Sequence, residues 1–61
     1  METWYEVSLV MRSGKNIHIL DTQSLEAAED KKLEFVNTGL KAAINVYDII
    51  NDVAYKVGEI K

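Results

Sequence analysis

The side chains best suited to chemistry are few, and the only histidine lies in the first third of the chain. His18 follows Ser8 in a segment whose alternating pattern predicts strands. If both side chains project from one sheet face, the imidazole could act as a general base toward the hydroxyl. No spacing typical of a serine hydrolase, a zinc protease, a phosphate-binding loop or a dinucleotide fold occurs. We therefore predict no catalytic residues and interpret His18 as a surface histidine of a non-enzymatic protein.

One face of the N-terminal segment has side chains that could bind a partner or a ligand. We predict that Trp4, Ser8, Arg12 and His18 form this site. An aromatic ring, an arginine and a histidine could hold a partner peptide, or stack on a base and bind the phosphate of a nucleotide. The alternative is that this face packs on another subunit, because Val10 on the same side is apolar.

Acidic residues form a second candidate surface. The chain has ten acidic and seven basic side chains, a net charge of −3. At helical spacing, the carboxylates that share one predicted helix face are Asp30, Glu34, Asp48, Asp52 and Glu59. A row of carboxylates on a helix can imitate a nucleic-acid backbone and occupy a basic groove on a DNA-binding protein. Carboxylate pairs without a third ligand are poor cation sites, so we predict no metal and no cofactor.

The N-terminal residues read as a β-hairpin. Apolar and polar residues alternate over 4–12 and again over 16–21, which predicts two strands joined by a turn. A three-residue loop that pairs Met11 with Ile17 keeps the apolar faces together. We prefer it to a two-residue loop that pairs Met11 with Asn16.

The rest of the chain has a helical period. Apolar residues recur every three or four positions, which predicts a long amphipathic α-helix over 23–60 after the hairpin over 3–21, and thus an α+β fold class in a single domain. A helix seam predicted to pair with a second copy comprises Leu40, Ala43, Tyr47, Ile50, Ala54 and Val57.

Two alternatives to one continuous helix stay open. The segment 37–39, Asn-Thr-Gly, could bend the helix or end it. The β-branched residues over 44–57 are typical of strands, which leaves a hairpin, helix, hairpin layout as the second interpretation.

Length predicts assembly. The 61 residues contain no cysteine and no proline, and a domain of this size buries only about 60% of its unfolded surface. A helix of about 54 Å would also extend well beyond strands of about 27 Å. We therefore predict a homodimer or a higher homo-oligomer.

The expected function is non-enzymatic binding of another protein, in the format of a small accessory inhibitor or regulator such as phages produce. The alternatives are an oligomeric sponge for a nucleotide-like small molecule and an acidic nucleic-acid mimic. The net negative charge argues against direct contact with nucleic acid or an anionic membrane. The longest apolar runs, of three residues, are too short to span a bilayer. Because no basic, apolar leader is visible, we predict a cytoplasmic location.

Overall fold

The molecule is a four-stranded antiparallel sheet with one short helix. The structure is a computed structural model that describes residues 2–60. In chain order, its elements are β1 (Glu2–Val10), β2 (Asn16–Thr22), α1 (Leu25–Val36), β3 (Ala42–Ile50) and β4 (Val53–Ile60). The strand order across the sheet is β2-β1-β3-β4. Two hairpins are therefore joined side by side through β1 and β3, which are distant in the sequence.

The long amphipathic helix predicted over 23–60 is wrong, and the structure has the hairpin, helix, hairpin layout instead. The helix ends because Gly39 adopts a left-handed φ of +86°. The Leu40 N–H then donates to the Phe35 carbonyl at 3.1 Å, and the Thr38 hydroxyl donates to the same oxygen at 2.7 Å. These bonds satisfy a carbonyl at the end of α1 and turn the chain toward the sheet.

The second hairpin replaces the C-terminal part of the predicted helix. Asn51 and Asp52 have φ values of 50° and 64° and form the two-residue turn that pairs Ile50 with Val53. Such turns require positive φ at both central positions, and Asn and Asp accept it better than other residues with side chains. The strand preference of the β-branched residues outweighs the apparent helical period.

The predicted helix seam does not form. Leu40 lies in the α1–β3 connection, Ala43, Tyr47 and Ile50 lie in β3, and Ala54 and Val57 lie in β4. Successive side chains of a strand point to opposite faces, so Tyr47 and Ile50, three residues apart, do not share a surface. The seam residues are therefore divided between two strands, both sheet faces and a loop.

The N-terminal hairpin is present, with a register that differs from both predicted ones. Gly14 has a φ of +87° and takes the last position of a three-residue loop. Its N–H donates to the Met11 carbonyl at 2.9 Å, while the Met11 N–H donates to the Lys15 carbonyl at 2.8 Å. Glycine is favoured at this left-handed position, which fixes the loop at residues 12–14. Ile17 therefore pairs with Leu9 and not, as predicted, with Met11.

One extra residue interrupts β2. Ser8 lies opposite His18, but the adjacent Val7 lies opposite Leu20, so Ile19 is the inserted residue of a β-bulge. A bulge shifts the alternation of side chains by one position. Residues after it therefore face the opposite side from the one that regular alternation would produce.

Helix α1 covers one face of β1, β2 and β3 and leaves β4 uncovered. The Ser24 hydroxyl begins the helix by accepting a hydrogen bond from the Ala27 N–H at 3.1 Å. The core between helix and sheet consists of the buried residues Val7, Ala28 and Ile44, with Tyr5 and Leu20 partly buried beside them. Within residues 2–60, no helix has the length and hydrophobicity that crossing a membrane requires.

Candidate binding face

The sheet face opposite α1 has no covering layer within residues 2–60, and we call it the open face. Strand pairing shows which residues share it, because residues directly opposite in antiparallel strands project to the same side. Its side chains include Glu2, Trp4, Glu6, Ser8, His18, Asp21, Asn45, Tyr47, Ile49, Ala54, Lys56 and Glu59.

Three charged side chains form an ion triad on the open face. The His18 imidazole lies between two carboxylates, with Nδ1 2.7 Å from Glu6 Oε2 and Nε2 3.5 Å from Asp21 Oδ2. In a regular strand, residues three apart would face opposite sides. The bulge at Ile19 brings Asp21 to the side of His18, so the irregularity in β2 assembles the triad.

The electrostatics of the triad favour its charged form. The hydrogen bond with Glu6, together with the charges of Asp21 and Glu6, raises the pKa of His18 above its ordinary value of 6.5. The same hydrogen bond, a second one from Asn45 and the charges of His18 and Lys56 lower the pKa of Glu6 below its ordinary value of 4.5, although partial burial opposes this. A protonated imidazole donates a hydrogen bond from Nδ1 to Glu6 and places its positive charge beside the carboxylate of Asp21.

A buried polar network holds Glu6 from the other side. The Asn45 amide donates to Glu6 Oε1 at 3.0 Å and to Ser8 Oγ at 3.1 Å. Both Ser8 and Asn45 are buried. The predicted placement of Ser8 and His18 on one face is correct, since they lie opposite each other. Among residues 2–60, however, the Ser8 hydroxyl bonds to Asn45 and the imidazole to carboxylates, so no nucleophile and base pair forms.

An aromatic pair lies beside the triad. Trp4 is directly opposite Tyr47 across β1 and β3, an arrangement in which aromatic rings stabilise a sheet. The Trp4 indole N–H donates to Glu2 Oε2 at 3.2 Å. A shallow groove beside the pair is lined by Trp4, Glu6, Asp21, Tyr47, Ile49 and Ala54. The groove therefore combines aromatic and apolar surface with two carboxylates.

The triad is also the one group of three potential metal ligands within residues 2–60. Glu6, His18 and Asp21 can place one ligand atom each within 4.8 Å of one another. The two carboxylates, however, lie against different ring nitrogens, and a bound cation would use the lone pair of only one of them. An ion triad explains this geometry without a metal.

Two of the four predicted binding residues lie directly opposite each other. Ser8 and His18 are neighbours, and Trp4 is on the same face. Arg12 lies in the β1–β2 loop, roughly 26 Å from Trp4 at about 3.3 Å per residue. It lines a separate hollow together with Lys41. The predicted set is therefore not one site within a single chain.

The five predicted acidic residues do not form one surface. Asp30 and Glu34 lie on α1, and Asp52 lies in the β3–β4 turn. Asp48 and Glu59 project from opposite faces of the sheet. The row is absent because the helix that was expected to align these residues ends before β3 begins.

Sequence reasoning assigned no binding role to Glu6, Asp21, Asn45 or Ile49, and it placed Tyr47 and Ala54 in the predicted helix seam. Glu6 shares the alternation of Trp4 and Ser8, so the pattern of β1 already indicated its face. The position of Asp21 could be predicted only with knowledge of the bulge in β2. The position of Asn45 could be predicted only if β3 was identified as a strand. The chain has no significant match among protein-family models, curated proteins or solved structures.

Proposed function

We propose that the protein is a non-enzymatic binding protein whose open face takes up a cationic segment of a partner protein. The observation that carries this proposal is the groove that joins the Trp4 and Tyr47 rings to the carboxylates of Glu6 and Asp21. Aromatic faces attract guanidinium and ammonium groups. Carboxylates bind the same groups through charge-assisted hydrogen bonds.

The charge of the open face supports a cationic occupant. The described strands place four carboxylates and one lysine there, namely Glu2, Glu6, Asp21, Glu59 and Lys56. The imidazolium of His18 offsets only part of this negative charge. Complementary charge speeds association and disfavours partners of like charge, so acidic ligands are repelled.

Arginine fits the groove better than lysine. Its planar guanidinium can stack on an aromatic ring while it donates two parallel hydrogen bonds to a carboxylate, which an ammonium group cannot do. Ile49 and Ala54 supply apolar surface for the aliphatic stem of such a side chain. A partner segment with an arginine among apolar residues is therefore the expected ligand.

The geometry favours this function over the two alternatives. A nucleotide sponge needs cationic groups around the phosphate, but His18 is flanked by carboxylates and Arg12 lies in the distant β1–β2 loop. A nucleic-acid mimic needs a continuous acidic row, and the sheet divides the carboxylates between its faces. The role of an accessory inhibitor or regulator in the cytoplasm, predicted from the sequence, is kept as part of the proposal.

The fluorescence of Trp4, the only tryptophan, provides the test. The purified protein is titrated with a peptide that carries one arginine between apolar residues, and with the same peptide containing neutral citrulline. We expect the arginine peptide to bind at least about tenfold more tightly, because only its side chain makes charge-assisted hydrogen bonds. Equal binding of the two peptides would contradict the proposal.

Matched variants locate the binding site. The double change Glu6→Gln with Asp21→Asn is expected to weaken arginine-peptide binding at least about tenfold. The control Glu29→Gln with Asp30→Asn removes two charges from exposed positions of α1 and should leave binding unchanged. Circular dichroism confirms that each variant is folded. An equal loss in the control would show unspecific attraction, and a melting temperature raised by ATP would favour the nucleotide sponge.

A further inference from the structure

Strand β4 is an edge strand that the rest of the domain leaves uncovered. It lies at the end of the strand order, so one of its long edges has no neighbouring strand within residues 2–60. Every residue of Val53–Ile60 is exposed, and α1 does not pack on this strand. An exposed edge of this length offers unpaired N–H and C=O groups to another strand.

The surface area of the chain supports a missing neighbour. The folded chain exposes 4426 Å², whereas a monomer of its mass of 6.9 kDa is expected to expose about 4,000 Å². The excess of about 400 Å² is about half of what each partner of a stable complex buries, about 800 Å². Burial of the β4 edge against one additional chain would remove this excess.

Apolar side chains are concentrated where that neighbour would sit. Between α1 and β4 runs a groove whose apolar lining consists of Leu33, Val36, Ile44 and Ile60. Leu33 is 56% exposed, as is Val57 on β4. Such a patch next to an unpaired edge suits a partner that brings both a strand and apolar side chains.

The charges of β4 are complementary to themselves. Lys56 lies opposite Tyr47 and Glu59 opposite Asn45, so both charged residues are on the open face, with the bulge at Val57 between them. In an antiparallel pair of two β4 strands centred between residues 57 and 58, Lys56 of one protomer faces Glu59 of its partner. Two-fold symmetry repeats this pair, as in any isologous interface.

We propose that a second copy of this chain covers β4 by antiparallel β4 to β4 pairing. The two four-stranded sheets then form one continuous sheet, with both α1 helices on the same side. The assembly uses the free edge of β4, whereas the groove lies on the open face between Asp21 on β2 and Ala54 on β4. Backbone pairing at that edge leaves the lining of the groove in place. Each dimer would present two such grooves, one on each protomer.

Sedimentation equilibrium and native mass spectrometry at micromolar concentration test the proposal. We expect a dimer of twice 6.9 kDa. The single reversals Lys56→Glu and Glu59→Lys should each weaken dimerisation at least about tenfold, since each creates two like-charge contacts per dimer. The double reversal should restore the wild-type affinity. Lys15→Glu in the β1–β2 loop is the matched control and should leave dimerisation unchanged.

Hydrogen exchange provides a second measurement that does not depend on the variants folding. Amides of β4 should become more protected as wild-type concentration rises, while those of the opposite edge strand β2 should not. A monomer throughout the micromolar range, or a dimer that tolerates both single reversals, would overturn the proposal. Failure of the double reversal to restore affinity in a folded protein would also overturn it.

Discussion

The two hairpins of this sheet are built alike but covered differently. Each has a tight turn with left-handed residues and one bulge in its outer strand. The first hairpin has α1 on one side and the ion triad on the other, whereas β4 is exposed on both sides. Helix α1, 12 residues long, packs on β1, β2 and β3 and does not reach β4. The first hairpin is therefore covered within the chain, whereas β4 is the strand on which we propose that a second copy pairs.

The largest expected effect concerns the centre where the hairpins meet. Ile44 is fully buried between Val7 and Ala28, so Ile44→Ala should reduce the free energy of unfolding by about 2–5 kcal/mol. A domain of this size has a total stability of about 3–9 kcal/mol, so the variant should lose roughly half of it. Urea denaturation followed by circular dichroism measures the change. The control Ile17→Ala, at a position 42% exposed in β2, should cost less than about 1 kcal/mol. Equal losses would contradict a core at the β1–β3 junction.

The turns should respond with opposite signs. Gly14→Ala places a methyl group where no atom lies within 4 Å, so its cost comes only from the φ of +87° and should be about 1–2 kcal/mol. Asp52→Gly relieves a φ of 64° in the other turn and should stabilise the protein by about 0.5 kcal/mol. Chemical denaturation of both variants measures the difference. A neutral Gly14→Ala would show that the first turn does not determine its register.

The smallest expected effect is on pH dependence, and it is specific to the first hairpin. Because folding raises the pKa of His18, the contribution of His18 to stability is fully present below pH 6.5 and is lost as pH rises through the raised pKa. Because folding lowers the pKa of Glu6, its contribution is present above pH 4.5 and is lost as pH falls through the lowered pKa. Stability from the triad should therefore be greatest between these two values.

Urea midpoints across this pH range and an NMR titration of the imidazole measure the effect. Glu6→Gln should flatten the pH profile and return the pKa of His18 toward its ordinary value, because it removes the strongest hydrogen bond to the ring. Solvent exposure of His18 keeps the stability change small. An unchanged pKa in the variant would show that Glu6 does not hold the imidazole in solution.

The sequence predicts the first hairpin much better than the second. Strand β1 has one face on the helix and one face open, so alternation reveals it. The register of the first hairpin can also be predicted, because a glycine such as Gly14 is favoured at the last, left-handed position of the loop. Strands β3 and β4 have apolar residues on both faces, as in the adjacent pair Ile49 and Ile50. Alternation disappears there, and the remaining spacing of three and four imitates a helix.

The site divides in the same way. Trp4, Ser8 and His18 follow from local alternation and were predicted on one face. Asp21 reaches that face only through the bulge, which the alternation of residues 16–21 does not indicate. Asn45 reaches it through the pairing of β1 with β3. A pattern over ten or fifteen neighbouring residues cannot predict features that depend on pairing between distant strands.

The central pairing of β1 with β3 has a consequence for how the chain is made. It places Glu2 beside Ile49, so during synthesis β1 is made well before β3, the strand that becomes its inner neighbour. Each hairpin can close locally within about 1–10 μs, but joining distant strands requires a long loop to close. Val7 has no buried environment until Ile44 has been synthesised. We therefore expect local closure of the two hairpins to precede the β1–β3 pairing.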